Sequence, residues 1–312
     1  MKKSMLVAVG GNSLVRAGQR GTIAEQLENA RSTTESIAEI ASRGYVLVIT
    51  HGNGPQVGAQ LLRSEAGSSQ AYSLPLDVCV AMTQGEIGFI LQNSLQTALH
   101  QRNIDRSVVT IITQVVVDKN DPAFQRPTKP IGPFYSKETA ERKRRELKWN
   151  TIEDAARGYR RVVASPLPKD IIELGTIKDC LDRNIIVIAA GGGGIPVVRE
   201  SGEIKGVEAV IDKDRASAFL ASKLEIEHLV ISTEVPGAYI DFKKPSQKII
   251  NTLSTADAKK YIADGQFFEG SMKPKIEAAI DFLNSGGKIV TIADPQHLVA
   301  AIDGKSGTRI IK

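Results

Sequence analysis

The chain opens with Met5-Leu6-Val7-Ala8-Val9-Gly10-Gly11-Asn12, an apolar run that ends in paired glycines. Two further runs end in the same way, at Thr50-His51-Gly52-Asn53-Gly54-Pro55 and at Ala190-Gly191-Gly192-Gly193-Gly194-Ile195-Pro196. Glycine lets the backbone approach a ligand closely, and a helix that starts after such a turn presents unpaired N–H groups to an anion. The three turns therefore predict phosphate-binding loops at the ends of strands.

Short β-branched runs alternate with longer helical patterns along the chain. Between the first two runs lies a predicted helix, residues 22–43, in which Thr22 precedes Glu25 by three positions and Gly44 follows the end. Alternating strands and helices are typical of crossover connections and a mainly parallel sheet, so the sequence predicts an α/β fold. The predicted strands are 5–9, 46–50, 108–117, 185–190, 228–232 and 289–293.

The residue pattern changes between Asp118 and Pro168. Prolines recur in this stretch, and it contains the single tryptophan, Trp149. We predict a lobe at 118–168 that is inserted into the sheet domain. Its charged segment, 137–148, mixes both signs, which favours a solvated face over a nucleic-acid or membrane patch.

The net charge, the cysteine content and the lengths of the apolar runs fit a soluble intracellular enzyme. Forty Lys and Arg against 35 Asp and Glu give a formal net charge of +5, too mild for a nucleic-acid-binding stripe. Cys79 and Cys180 lack metal-ligand spacing, which predicts free thiols in a reducing cytosol. The apolar run after Met1 is too short for a signal peptide, and no run is long enough to span a membrane.

Two standard nucleotide-binding fingerprints are absent. A P-loop would need glycine where Val299 precedes Gly304-Lys305-Ser306, and the G-x-G-x-x-G frames that begin at Gly52 and Gly191 end in Val57 and Pro196. The sequence therefore supports neither a P-loop ATPase nor an ordinary dinucleotide dehydrogenase.

Three lysines stand in turn-like or glycine- and proline-flanked settings: Lys129, Lys213 and Lys273. Asp212-Lys213-Asp214 opens a helical stretch, and it is either an ion-paired surface cluster or a lysine that balances phosphate charge beside a carboxylate. Lys273 lies at another helix start, where anions bind favourably. His51 is predicted to satisfy a backbone carbonyl rather than to act as a base.

Several long motifs together resemble carbamate kinases, from the first strand to Gly307-Thr308-Arg309-Ile310. Besides the first two glycine turns and Gly191 to Pro196, they are Met82-Thr83-Gln84-Gly85-Glu86-Ile87-Gly88, Lys129-Pro130-Ile131-Gly132-Pro133-Phe134-Tyr135, Gly206 to Asp214, and Gly270-Ser271-Met272-Lys273-Pro274-Lys275.

The resemblance implies the fold of the amino acid kinase superfamily. This fold is a three-layer α/β/α sandwich around a mainly parallel eight-stranded sheet, here a single domain over 1–312 with the lobe at 118–168 as a protruding subdomain. It also implies a cytoplasmic homodimer. The implied reaction is ADP + carbamoyl phosphate ⇌ ATP + carbamate with Mg²⁺, in the direction of ATP formation in fermentative arginine catabolism.

The resemblance also assigns roles to residues. Other superfamily members carry a phosphoryl-binding lysine where this chain has Ala8, and in carbamate kinases the counterpart of Lys129 is thought to substitute. Lys213 and Lys273 would neutralise nucleotide phosphates, and Asp214 would hold lysines in place. The phosphoryl and carbamoyl groups would lie among Gly10, Gly11, Asn12, Gly52 and Asn53, and adenine near Ser232, Thr233, Tyr239 and Met272. No residue is assigned as a metal ligand.

The resemblance is incomplete at one stretch, and the sequence leaves two other functions open. The stretch Thr233-Glu234-Val235-Pro236-Gly237 departs from the family pattern, where an acidic or amide residue more often follows Thr-Asp-Val. The other functions that remain open are a related phosphotransferase with a different carboxylate or phosphate acceptor, and a catalytically inactive nucleotide-binding module.

Overall fold

The computed structural model describes residues 3–16, 18–154 and 158–312, with the side chain of Asn12 also outside the described part. The strands in the described residues are β1 (Ser4–Val9), β2 (Val46–His51), β3 (Val108–Thr110), β4 (Gln114–Val117), β5 (Lys129–Tyr135), β6 (Asn150–Glu153), β7 (Tyr159–Val163), β8 (Pro168–Ile171), β9 (Ile186–Ile188), β10 (Ile195–Glu200), β11 (Glu203–Gly206), β12 (His228–Ser232), β13 (Tyr239–Ile240), β14 (Lys248–Ile249), β15 (Thr252–Ser254), β16 (Ile289–Ala293) and β17 (Thr308–Ile311). The α-helices are α1 (Ile23–Ser42), α2 (Gly54–Ala66), α3 (Leu76–Gln101), α4 (Lys137–Leu147), α5 (Leu174–Asp182), α6 (Lys213–Lys223), α7 (Thr255–Ala263), α8 (Met272–Asn284) and α9 (Leu298–Ile302).

The main sheet has eight strands in the order β15-β17-β16-β12-β1-β2-β9-β3. From β16 to β3 every neighbouring pair is parallel, β16 and β17 pair antiparallel, and β17 and β15 pair parallel. The predicted α/β fold with a mainly parallel eight-stranded sheet is confirmed.

Both faces of this sheet are buried, as expected for parallel strands joined by helical crossovers. Along β1, Leu6 belongs to a core shared with α5, α6 and α8, whereas Met5 and Val7 belong to a core shared with α1, α3 and α9. Successive strand residues point to opposite faces, so one strand supplies both cores. The result is the expected three-layer sandwich.

The first crossover helix begins as the sequence predicts. The Thr22 side chain accepts a hydrogen bond from the backbone N–H of Glu25, and the Glu25 carboxylate accepts one from the backbone N–H of Thr22. This reciprocal capping box satisfies two N–H groups that the helix itself leaves unpaired.

The prediction of one strand over 108–117 is wrong. β3 belongs to the main sheet, whereas β4 belongs to a second sheet with the order β11-β10-β4-β8. The break is at Thr113, whose backbone N–H donates to Oε1 of Gln84 rather than to a neighbouring strand. A side-chain acceptor on α3 therefore ends the strand ladder and redirects the chain.

The chain leaves the second sheet after β4 and returns to it in β8, which pairs antiparallel with β4. Between these strands lie the three-stranded sheet β5-β7-β6 and helix α4. α4 is mostly exposed, as expected for a solvated charged segment, except for Ala140 and Lys143.

None of the helices in the described residues is long and apolar enough to cross a membrane.

Candidate active site

The carboxyl ends of four adjacent parallel strands meet at one edge of the main sheet. β1 leads into Gly10 and Gly11, β2 into Gly52 and Asn53, β9 into the loop 190–194, and β12 into Thr233. Ligands of open α/β sheets bind outside this edge. The topology therefore brings the first two glycine turns and the loop after β12 to one place.

The first two glycine turns are in direct contact. A Cβ on Gly52 would lie 2.8 Å from the backbone nitrogen of Gly11, so only glycine allows this approach. Asn53 is buried beside them, and its Nδ2 donates to Oγ1 of Thr83 over 2.8 Å. Gly10 lies in the same turn as Gly11, and the side chain of Asn12 lies outside the described residues.

The four glycines after β9 have a structural reason that the sequence did not reveal. A Cβ on Gly191 would lie 2.2 Å from Nε2 of His51, and one on Gly192 would lie 2.3 Å from Nδ2 of Asn53. Gly193 and Gly194 likewise meet protein atoms, and all four are buried. Gly191 and Gly192 pack against the β2 turn, Gly193 against Ile211 and Gly194 against Val115, so close packing within the protein explains the run rather than contact with a ligand alone.

His51 has no features of a catalytic base. It is buried, and its Nδ1–H donates to the carbonyl oxygen of Gly52 over 3.1 Å. Burial lowers the pKa of His51 to about 4, and the charge of Lys213 adds to the shift. The ring is therefore neutral at pH 7, and its contact with the Gly52 carbonyl agrees with the prediction from sequence.

Asp212 joins the inserted segment to the start of α6. One carboxylate oxygen caps the helix by accepting hydrogen bonds from the backbone N–H groups of Asp214 and Arg215. The other accepts from Nζ of Lys129 over 2.8 Å. Burial would raise the pKa of Asp212, but the Lys129 ammonium outweighs this and the pKa is lowered. Lys129, at the start of β5, is thereby brought to the N-terminus of α6.

Asp214 lies between two largely buried lysines. Lys213 Nζ lies 2.8 Å from Oδ1 of Asp214, and Lys275 Nζ donates to Oδ2 over 2.7 Å. Burial alone would raise the pKa of Asp214, yet the two ammonium groups hold it well below its usual range. The carboxylate is therefore ionised and fixes both cations.

The ammonium of Lys213 is only partly compensated. Its Nζ pairs with Oδ1 of Asp214 over 2.8 Å, and no other described residue accepts from it, so N–H donors of this ammonium stay unpaired. Burial lowers the pKa of Lys213 despite the neighbouring carboxylate. A buried cation with free N–H donors at a helix N-terminus is suited to bind an anion.

Lys273 and Lys275 differ sharply. Lys273 Nζ pairs with Glu269, whose side chain is 86% exposed. Lys275, which the sequence analysis did not select, has a side chain only 14% exposed and contacts Asp214. The sequence pattern does not separate the two lysines, because Ile276 and Ile280 follow Lys273 at the spacings of three and seven at which Ala278 and Phe282 follow Lys275, and all four are buried.

The residues predicted around adenine lie between β12 and α8. Ser232 ends β12, and its buried Oγ has no hydrogen-bond partner among the described residues. Thr233 donates its backbone N–H to the carbonyl of Ala293. Met272 packs against the core at the first position of α8. Tyr239 lies in β13, with its ring centroid 5.8 Å from that of Phe242.

The cluster of Lys129, Lys213 and Lys275 around Asp212 and Asp214 carries one positive charge in excess. Such a cluster can bind a polyphosphate, and the glycine turns across the same edge can bind a second anion through backbone N–H groups. Among the described residues no group of three or more His, Cys, Asp or Glu side chains could hold a metal ion.

Comparisons with known proteins agree with this architecture. Residues 3–294 match the amino acid kinase family. The chain is 48% identical to a carbamate kinase of Thermococcus kodakarensis over 99% of both chains, and 49% identical to one of Pyrococcus furiosus over the full length of both. A solved structure of carbamate kinase from Giardia lamblia bound to AMP-PNP superimposes with a TM-score of 0.94 at 41% identity, covering 100% of this chain and 99% of that one.

The fold and the sheet-edge site define a kinase of the α/β sandwich type. The chain belongs to the amino acid kinase family and, within it, to the carbamate kinases, which are phosphotransferases.

Proposed function

We propose that this enzyme transfers a phosphoryl group reversibly between ADP and carbamate, forming ATP from carbamoyl phosphate in one direction. The observation that carries this proposal is the buried Asp214 between Lys213 and Lys275, with Lys213 N–H donors left unpaired. The cluster is suited to the phosphates of a nucleotide. The carbamate kinase relatives support carbamoyl phosphate as the second substrate.

Lys129 is proposed to hold the transferred phosphoryl group. Its ammonium lies at the N-terminus of α6 through its contact with Asp212, and its side chain is 35% exposed. A lysine that is anchored and yet accessible can follow the charge on the equatorial oxygens as the phosphoryl group moves. Ala8, which lies in β1 where related kinases carry a lysine, cannot provide this charge.

The turns containing Gly10, Gly11, Gly52 and Asn53 are proposed to bind the carbamoyl group and the phosphoryl oxygens, together with Asn12. The contact between Gly11 and Gly52 supports this role because it brings two sets of backbone groups together. Carbamate is already an anion, so its attack on ATP needs no general base. The neutral His51 agrees with a reaction that depends on alignment and charge stabilisation.

The nucleotide is proposed to lie along α6 and α8. Lys213 and Lys275 would neutralise its phosphates. Lys273 would neutralise less phosphate charge, because its ammonium is paired with Glu269. Adenine would lie near Ser232, Thr233, Tyr239 and Met272. The unpaired Ser232 Oγ supports this assignment, since a buried hydroxyl requires a partner.

Mg²⁺ is proposed to arrive with the nucleotide and to be held chiefly by phosphate oxygens. Asp212 and Asp214 are both engaged by lysines, so neither is free to act as a principal metal ligand. Bound Mg²⁺ would neutralise phosphate charge during the transfer.

We propose that residues 118–168 form a subdomain within a single 1–312 domain. Its departure after β4 and return in β8 support this division. The enzyme is proposed to be cytoplasmic, in keeping with the free thiols of Cys79 and Cys180. ATP formation in arginine catabolism is the proposed direction, on the family resemblance alone.

A homodimer is proposed through the outer face of α3. Val78, Met82 and Phe89 are 40%, 42% and 63% exposed, and their spacing of four and seven residues puts them on one face of the helix. Gly85 lies on the same face and has open space around it, which allows a partner to approach closely. A shallow groove of about 630 Å³ continues this face beyond Phe89. An exposed apolar stripe of this kind is typical of an interface.

The test is ATP formation from ADP, Mg²⁺ and fresh carbamoyl phosphate, compared with acetyl phosphate as donor. We expect Mg²⁺-dependent ATP with a clear preference for carbamoyl phosphate. ATP formation from neither donor, in protein that binds ADP, would overturn the proposal in favour of another acceptor or of a non-catalytic nucleotide-binding module.

A further inference from the structure

Lys143 is a buried charged residue on a mostly exposed helix. Its side chain is only 6% exposed, although α4 has a strongly polar sequence. A buried ammonium is costly unless it is compensated, so its contacts indicate why it is there.

The compensation comes from two sources. Lys143 Nζ pairs with the Glu65 carboxylate, and it lies 5.2 Å from the ring centroid of Tyr135 and 4.8 Å from that of Trp149. Cation–π contacts of this length stabilise a desolvated ammonium. Burial, with a smaller effect of the Glu65 charge, raises the pKa of Tyr135 to about 12, so the ring remains neutral.

The Lys143–Glu65 pair connects the two parts of the site. Glu65 lies on α2, which begins immediately after Gly52 and Asn53, whereas Lys143 lies in the segment that carries Lys129. Eleven residues of helix separate Gly54 from Glu65, a distance of about 16 Å. Lys129 pairs with Val163 and Tyr135 with Tyr159, and β5 bulges between Ile131 and Tyr135. The span therefore equals four residues of β7, about 13 Å.

α2 and β5 therefore form two long arms that reach the site at one end. The two elements approach closely at their middle, since a Cβ on Gly58 would lie 3.5 Å from Cα of Gly132. The Lys143–Glu65 pair joins them at the far end. A second connection, the 2.8 Å ion pair between Arg161 and Glu208, links the same segment to the loop that leads to Asp212.

We propose that Lys143 and Glu65 are positioning residues that fix the inserted segment against α2 and thereby set the position of Lys129 relative to Gly52 and Asn53. This inference rests on the proposed role of Lys129. A small rotation of this arm, which is about 13 Å long, is enough to displace the Lys129 ammonium, and phosphoryl transfer is sensitive to displacements of about 1 Å.

The experiment measures kcat and the KM for ADP in the ATP-forming reaction for Lys143→Met, with Lys137→Met on the exposed start of α4 as the matched control. We expect kcat to fall about tenfold in Lys143→Met, with the KM for ADP within twofold, because Lys213 and Lys275 are untouched. Lys143→Arg should recover part of the rate. Lys137→Met should behave as the parent enzyme.

The decisive variant combines Lys143→Met with Lys129→Ala. If Lys143 acts through Lys129, the double variant turns over as slowly as Lys129→Ala alone. The inference is overturned if Lys143→Met lowers kcat by the same factor in the Lys129→Ala background as in the parent enzyme. It is also overturned if Lys143→Met alone leaves kcat unchanged. Glu65→Gln provides the same comparison if Lys143→Met does not fold. An inactive parent enzyme would instead overturn the proposed function, which distinguishes the two failures.

Discussion

Lys275 Nζ lies 2.7 Å from Oδ2 of Asp214 and joins the N-terminal turn of α8 to that of α6. Burial would lower the pKa of Lys275, but the Asp214 carboxylate outweighs it and the pKa is raised. Lys275 is therefore charged and held against Asp214, whereas Lys273 is paired with an exposed glutamate.

The two lysines of α8 should differ strongly in their importance. We expect Lys275→Met to lower kcat/KM for ADP about 100-fold, the loss typical for removal of one electrostatic contact to a reacting group. Lys273→Met should cost at most about threefold, since a surface ion pair contributes little. Steady-state kinetics on both variants checks this, with thermal melting to verify the fold. A larger loss of kcat/KM for ADP in Lys273→Met would show that Lys273 binds the nucleotide phosphates.

Lys129 should affect turnover more than nucleotide binding. In Lys129→Ala we expect kcat to fall by about 100-fold or more, because a charge on the transferred phosphoryl group is lost. The KM for ADP should change little, since Lys213 and Lys275 remain. Lys119→Ala is a suitable control, because Lys119 forms an exposed ion pair with Glu200. Normal turnover in Lys129→Ala would remove Lys129 from the mechanism.

The difference between Lys273 and Lys275 illustrates what the sequence could predict. The motif Gly270 to Lys275 identified the helix start correctly, and α8 begins at Met272. Two residues two positions apart on a helix point in directions about 200° apart, so the choice depends on which side packs against α6. That side is set by tertiary packing.

The first helix and the strands predicted at 5–9, 46–50, 185–190, 228–232 and 289–293 were predictable because their signals are local. Thr22 and Glu25 are three residues apart, and each run of β-branched residues carries its own pattern. The error at 108–117 has a different origin: Gln84 accepts from Thr113 across 29 residues of chain. The Lys129–Asp212 contact spans 83 residues and was likewise beyond any local pattern.

Stability should fall on acidification because His228 is buried as a neutral ring. Burial, aided by the charge of Arg309, lowers the pKa of His228 to about 4, against about 6.5 in the unfolded chain. Between these two pH values the unfolded state binds more protons than the folded state. The free energy of unfolding therefore rises as the pH increases from about 4 to about 6.5, and the contribution of His228 is complete above that range.

We expect His228→Gln to reduce this slope by about 1 kcal/mol per pH unit near pH 5. His51 contributes a similar dependence and remains in the variant. Urea unfolding at pH 5, 6 and 8 measures the slope separately from any general loss due to the broken contact with Thr291. Parallel curves for the parent and the variant would show that His228 binds its proton at the same pH in the folded and unfolded states.

The proposed dimer interface on the outer face of α3 can be tested by a substitution at Phe89. Phe89 is the most exposed apolar residue of the Val78, Met82 and Phe89 stripe, and a charge there would have to be desolvated in a dimer. We expect the parent enzyme to sediment as a dimer and Phe89→Lys to dissociate to a monomer at micromolar concentration. Leu147→Lys, at a 53% exposed apolar position on α4, is the control and should remain dimeric. Two outcomes contradict the proposed interface: a monomeric parent, or a Phe89→Lys dimer as stable as the parent, which would require the subunits to meet through another surface.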